Sequence, residues 1–344
     1  MDTLTGPRVE TFWVELLDRS DQRIEIIPTV LGGQVEANWD APIKSGCSIE
    51  LHQPDLDVMK ERIRPWVRVN DQAWPLGVFL PTSPADRFTE NGRIWTVECL
   101  DKLSILEDDK IPEPWGFDAG VWVIGAVKDV IESTGETQVA VTEDPGVLRT
   151  PIAWKAGTPK RAIVNDLLNA IAYTPVWVDG FGQYRLEPYI DPHNRPITRE
   201  FREGETSIHS QEWSRTQNIT NVPNRVICTT DGTDEIPALV SVAENTDPDN
   251  PYSYQARGNR WKTETYEEDE AVDQAALDAL AQRRLYGWMH PPMNFQVSHG
   301  IVPYNMLDVV RFVSNGNDAL AWVNEYHVPL EIGGQMTAQW NGVT

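Results

Sequence analysis

The sequence predicts a mainly β protein interrupted by a small α+β segment. Three observations carry this. Short apolar or alternating runs broken by turn residues fill the first hundred positions, helical spacing starts only near residue 119, and strand patterns return after residue 208. At 344 residues the chain exceeds what one hydrophobic core normally serves, so several domains are expected.

The first strand pattern covers residues 12–17, and Asp18-Arg19-Ser20-Asp21 forms a turn before the pattern resumes at 24–27. Gly32-Gly33 and Asp40-Ala41-Pro42 punctuate the chain before Cys47-Ser48-Ile49-Glu50-Leu51. Residues 63–69 read as a strand in which Pro65 argues for an edge or a bulge, and 74–80 follows the turn at Asn70-Asp71. Asn91-Gly92 is a type I′ hairpin signal that feeds 94–100. Six or so such strands imply a small barrel or sandwich.

Helices come next. Asp118 is placed to cap a helix over 119–132, with Trp122, Val123, Ala126, Val127, Val130 and Ile131 on one face and Gly135 as its stop. Thr158 as cap and Pro159 in the first turn start a second, whose stripe is Ile163, Leu167, Leu168 and Ile171. A hairpin of 176–178 and 184–186 follows around Asp179–Gly182. Strands return at 208 and at 224–230, and Asp247-Pro248-Asp249-Asn250-Pro251 makes a surface loop. A third helix is expected over about 267–286, with Glu267, Glu268, Asp269 and Glu270 at its start and Arg283-Arg284 at its end. Terminal strands read at 295–297, 309–313 and 321–329.

The formal net charge of −23, from 52 acidic and 29 basic residues, opposes a sequence-independent grip on nucleic acid, which runs through phosphate contacts. No apolar run approaches the roughly 18 to 20 residues of a membrane-spanning helix, so no stable membrane insertion is expected. Residues 1–8 lack the basic flank and apolar core of a secretory signal. Cys47, Cys99 and Cys228 are odd in number and widely spaced, Cys47 and Cys99 read as buried free thiols in strands, and the chain looks at home in a reducing cytoplasm.

The sequence offers no catalytic, cofactor or metal residues. His52, His193, His209, His290, His299 and His327 show no ligand spacing, although His290 and His299 are close enough in sequence to meet. Counting an EF-hand from Asp247 puts Tyr252 where a glycine belongs and Gly258 where a bidentate glutamate belongs, so the Asp247–Asn250 loop reads as an acidic turn. Asp101 with Glu107, and the Asp108-Asp109 pair, are the nearest to paired carboxylates, and a glycosidase would need them across a cleft. Gly32-Gly33 and Gly333-Gly334 lack a phosphate-loop context, and no nucleophile-elbow motif occurs. Trp13, Trp39, Trp66, Trp74, Trp95, Trp115 and Trp122 fill strand cores or subunit contacts in the plain reading; a cell-wall hydrolase or carbohydrate-binding module is the alternative.

Three ordered segments resemble the tail-tip (baseplate) hub proteins of siphophages, often termed minor tail proteins. They are Pro75-Leu76-Gly77-Val78-Phe79-Leu80 with Trp95-Thr96-Val97-Glu98-Cys99-Leu100-Asp101-Lys102-Leu103; residues 163–173 continued by Val176-Trp177-Val178-Asp179-Gly180-Phe181-Gly182; and Asn221-Val222-Pro223-Asn224-Arg225-Val226-Ile227. The resemblance implies two tube-like β-barrel domains, over 1–105 and 206–344, around an α+β peripheral domain over 106–205. It implies a virion protein assembled in the host cytoplasm and acting structurally. A homotrimeric ring would join the tail tube protein to tip or fibre proteins, beside the distal tail and tape measure proteins. Genomic DNA would pass its axial channel without specific binding, which an acidic wall would favour.

Overall fold

The computed structural model describes residues 4, 7–52, 57–90, 92–148, 150–217, 221–230, 238–267, 274–289 and 293–343. It is mainly β with a few helices, as the sequence predicts. The chain divides into two compact units, one of Met1–Trp213 with Gln296–Trp340 and one of Ser214–Phe295 with Asn341–Thr344.

The first unit begins with β1 (Glu10–Leu17), β2 (Arg23–Ile26), β3 (Val30–Asn38), β4 (Ser45–His52), β5 (Arg62–Val69), β6 (Gln72–Pro75), β7 (Phe79–Thr89) and β8 (Gly92–Asp101). Asp18 makes the first turn by accepting the backbone N–H groups of Ser20 and Gln22 on Oδ1. The Gly32-Gly33 pair does not break a strand as punctuation would. It lies inside β3 next to a register shift, and Gly33 faces β4 so closely that a Cβ would stand 2.2 Å from the Ser48 carbonyl oxygen. Pro65 is not on an edge either, because β5 pairs with β1 along its length and with β6 and β7 on the other side. Its carbonyl accepts from Leu76 N, so its missing N–H falls where β6 gives way to β7 and no ladder bond is lost. Asn91, and the type I′ turn expected of it, lie outside the described residues; β7 and β8 pair antiparallel as far as Thr89 and Gly92.

The inserted segment holds α1 (Leu103–Asp108), β9 (Trp115–Phe117), α2 (Val123–Glu132), β10 (Val139–Val141), β11 (Ile152–Trp154), α3 (Lys160–Asn169), β12 (Trp177–Val178) and β13 (Tyr184–Leu186). Helix α2 starts four residues later than its apolar spacing suggests. Gly120 takes a left-handed φ of 87°, and Trp122 is held in extended form opposite Val147, so the first turn forms only beyond them. Helix α3 starts after Pro159, and the Thr158 hydroxyl donates back to the Lys155 carbonyl instead of capping. Val127, Val130 and Ile131 of α2 and Ile163, Leu167 and Leu168 of α3 share one core with Leu103, Leu106, Tyr184 and Leu186, all at 0% exposure. These helices pack by the stripes that the spacing predicts.

Beyond the insertion come β14 (Ile197–Arg202), β15 (His209–Gln217), β16 (Arg225–Thr229), β17 (Val240–Glu244), β18 (Thr263–Glu267), α4 (Gln274–Met289), β19 (Met293–His299), β20 (Val309–Ser314), β21 (Asn317–Pro329) and β22 (Met336–Gly342). The main sheet has 14 strands along the path β15-β19-β22-β21-β3-β4-β8-β7-β5-β1-β2, with β14 and β20 branching at β21 and β6 at β5. The long β21 makes this possible: residues 317–322 pair with β20 and 325–329 pair with β3. Strands from the two ends of the chain thus fuse into one sheet, and among the described residues the pairing path stays open at β2 and β15 and does not close into a barrel. Around His299 an aromatic cluster of Phe201, Tyr304, Phe312 and Trp340 is buried.

In the second unit β16 is central, antiparallel to β17 and parallel to β18. Val226, Cys228 and Ala243 pack against Leu277, Ala281 and Leu285 of α4. Glu267 ends β18 rather than opening the helix, whose described part starts at Gln274; Glu268, Asp269 and Glu270 lie outside the described residues. All three cysteines are buried, unbridged thiols, with Cys47 directly opposite Cys99 across β4 and β8. Among the described residues no helix is long and apolar enough to cross a membrane.

Candidate functional site

The insertion meets the main sheet of the first unit in two ways, a sealed seam and an open cleft. The seam gathers Asp21 from the β1–β2 turn, Arg62 at the start of β5, Lys102 just after β8 and Glu136 between α2 and β10. Asp21 adopts a left-handed φ of 62°, which turns its carboxylate inward. Lys102 is 0% exposed. Its Nζ lies 2.6 Å from Asp21 Oδ2 and 2.6 Å from Glu136 Oε2, and it donates at 3.0 Å to the Gly182 carbonyl. Arg62 completes the ring, with Nη1 donating to Asp21 Oδ1 at 2.7 Å and Nη2 to Glu136 Oε1 at 2.5 Å. Each carboxylate therefore bridges both cations.

Burial pushes the Glu136 carboxyl up, but the Arg62 hydrogen bond and the Lys102 charge together hold it below the usual range. For Arg62, burial acts downward and the two carboxylates win, raising it. Tyr184 lies beneath Lys102 Nζ at 5.2 Å and donates its hydroxyl to the Lys102 carbonyl. Nothing in this ring is poised to react. Its charges cancel, and what it does is fix one orientation of the insertion on the sheet.

The cleft comprises two adjoining cavities of about 500 and 450 Å³. Both are lined by Trp177, Asp179, Thr198, Asn305, Met306 and Asp308. Trp74, Tyr304 and Tyr326 complete the smaller, and Arg185, Glu187 and Arg195 the larger. The cations here are engaged. Arg185 pairs with Asp179 at 3.5 Å and with Glu187, while Arg195 donates to the carbonyls of Ile190 and Leu307. Burial raises Asp308 above the usual carboxylate range and Glu187 adds to this, against the lowering by the Asn305 N–H and the Arg195 charge. Leu307, between the two polar wall residues, is held at φ 68°, a region that a branched side chain rarely occupies. Its N–H is tied to the Val323 carbonyl.

The residues that sequence singled out mostly lie elsewhere. Asp101 is 1% exposed and accepts from Ser45 N, Ser45 Oγ and Leu103 N at 2.8 to 2.9 Å. Burial raises its carboxyl to about 6. Glu107 pairs with Arg161 and Asp109 with Lys160, each at 2.6 Å, and none of Asp101, Glu107, Asp108 or Asp109 lines the cleft. The Asp247–Asn250 loop spends its side chains on its own backbone: Asp247 Oδ1 accepts from Asp249 N, and Asn250 Oδ1 from Tyr252 N. Among the described residues no group of three potential metal ligands converges. His193 rests on Asp191 and His327 on Glu325, while His299 is buried between Tyr304 and the Gly300 carbonyl; His290 lies outside the described residues.

Two features escaped sequence reasoning. The ring of Asp21, Arg62, Lys102 and Glu136 joins positions up to 115 residues apart, and only Lys102 hinted at it, as a lysine inside the Asp101-Lys102-Leu103 run. On β5 the alternation Arg62, Arg64, Trp66, Arg68 sets arginines on either side of a tryptophan on one face. Trp13 stacks on Trp66 at 5.5 Å, with Arg68 over Trp13 and Arg64 over Trp66. The overall acidic balance hid that period-two pattern.

No protein-family model matches the sequence, and no curated protein matches it. Solved structures do. A tail protein of Neisseria meningitidis MC58 superposes with a TM-score of 0.70 at 13% identity, over 96% of each chain. The 43 kDa tail protein of prophage MuSo2 from Shewanella oneidensis gives 0.66 at 10% identity, over 96% of this chain and 98% of that one. Prophage tail protein gp18 from Listeria monocytogenes EGD-e gives 0.57 at 12% identity, over 96% and 95%. At such identities the likeness is one of architecture: the chain has the mainly β fold of these tail proteins.

Proposed function

We propose that the chain is a structural component of a bacteriophage tail, a tail-tip or baseplate hub in the virion, and not an enzyme. The observation that carries this is the end-to-end match of fold with a tail protein, over 96% of both chains, so the whole chain and not one module corresponds. The open sheet supports the same reading. Its terminal strands β2 and β15 offer edges, and β2 exposes Ile24 and Ile26 at 53% and 48%. An edge of one copy laid on the opposite edge of the next is a head-to-tail contact, which closes into a ring where the rotation between copies allows.

In the finer form of the proposal, three copies make a ring that joins the tail tube to distal tip or fibre proteins. The tape measure and distal tail proteins are its neighbours, and DNA passes an axial channel without specific contacts. The domain assignment 1–105, 106–205 and 206–344 belongs to this proposal. Imaging of intact particles tests it: density for three copies of this fold on the tail axis is expected, and the chain lying off-axis or outside the tail would overturn it.

A further inference from the structure

We propose that the cleft between the insertion and the main sheet binds a neutral oligosaccharide. Its two cavities, about 500 and 450 Å³, fall in the usual range of small-molecule sites, about 300 to 1,000 Å³. Their shared wall places Trp177 beside Asp179, Asn305 and Asp308. A pyranose ring presents an apolar C–H face and a rim of hydroxyls. The first needs an aromatic platform, and the second needs acceptors and donors held at the platform's edge. Trp74, half-buried at the cleft, supplies the platform, and Asn305 and Asp308 supply the edge groups, while the Asp179 carboxylate is taken up by Phe181 N, Gln183 N and Arg185.

Charge excludes the rival ligands. A phosphate or nucleotide needs a cation with donors to spare, and both arginines of the cleft are already committed, Arg185 to Asp179 and Glu187 and Arg195 to two backbone carbonyls. Three carboxylates against two arginines leave the lining net negative, which repels anions. An apolar ligand fares no better, because it would strip water from Asn305 and Asp308 without replacing the hydrogen bonds. A neutral, hydroxyl-rich ligand meets all these conditions. The backbone adds to the case: Leu307 at φ 68° sits between Asn305 and Asp308, and conformations of this kind persist where surrounding structure enforces them, often beside binding sites.

Tryptophan fluorescence and calorimetry on the full chain provide the test. The probes are a tetramer of N-acetylglucosamine and cellotetraose, with inositol hexakisphosphate as the anionic comparison. At least one neutral probe is expected to bind saturably below about 10 mM, and Asn305→Ala and Asp308→Asn should each weaken it at least about tenfold. Thermal midpoints of both variants should match the parent, which separates lost contacts from lost folding. Absence of saturable binding by both neutral probes, preference for the anion, or binding that both variants leave intact would each overturn the proposal. The place of the chain in a tail is tested separately and does not depend on this outcome.

Discussion

The seam and the cleft are two boundaries of the same insertion, and they solve opposite problems. At the seam Asp21, Arg62, Lys102 and Glu136 exclude water and satisfy one another. At the cleft the same two bodies of structure stay apart, and Asn305 and Asp308 line open volume. Apolar packing alone would let the insertion slide or settle inward. A ring of four charges tolerates little displacement, because each ångström of separation exposes a desolvated ion. The seam thereby fixes where the insertion stands on the sheet.

That contrast can be broken most directly at Lys102. Lys102→Ala leaves Asp21 and Glu136 sharing a single cation in a buried site, and a loss of about 3 to 5 kcal/mol is expected from chemical denaturation. Arg62→Lys keeps the charge but loses the two-pronged geometry that spans both carboxylates, so a smaller loss, about 1 to 3 kcal/mol, should appear in the same measurement.

The next test uses pH. Asp101 is raised in the fold to about 6, so the folded state binds its proton more tightly than the unfolded chain does. Its ionisation costs stability above that pH, and stability should recover as pH falls from about 6 toward 4. His299 has the opposite sign. Burial lowers it to about 4, so below about 6.5 the unfolded chain takes the proton first, and stability is lost as pH falls through that window. Glu136 is held low, so its stabilising share persists above the ordinary carboxylate range and fades only at more acid pH. Urea midpoints between pH 4 and 7 should therefore steepen toward acid loss in Asp101→Asn and flatten in His299→Phe. The smallest change belongs to the cleft: Asp308→Asn should stay within about 0.5 kcal/mol of the parent at pH 7, because that carboxyl gains no net stabilisation from its surroundings. A loss there as large as at Lys102 would erase the distinction between the two boundaries.

Much of the insertion was legible from sequence, since helical stripes such as Ile163, Leu167 and Leu168 declare their buried face through spacing alone. Most strands of the first hundred residues were legible for the same reason. Their partners were not. Nothing in residues 325–329 shows that they pair with β3, some 290 positions earlier, because strand pairing depends on topology and alternation names only a face. Helix starts were misplaced where a local competitor prevailed: Gly120 and the Trp122–Val147 bridge delayed α2, and Thr158 turned to Lys155. The cleft was invisible for a similar reason. Trp177 was readable as a hairpin residue and Asp308 as an ordinary acid, and only the folded chain brings them to one wall.

The buried thiols carry a practical consequence. Cys47 and Cys99 lie in the first unit and Cys228 in the second, all shielded from solvent. For Cys47, burial and the neighbouring Cys99 further suppress the thiolate that alkylating reagents require. The native protein should therefore resist a maleimide dye, and each labelling event should mark a chain that has opened nearby. Peptide mapping of the labelled sites would give two clocks in one molecule, one for each unit, without a single engineered substitution.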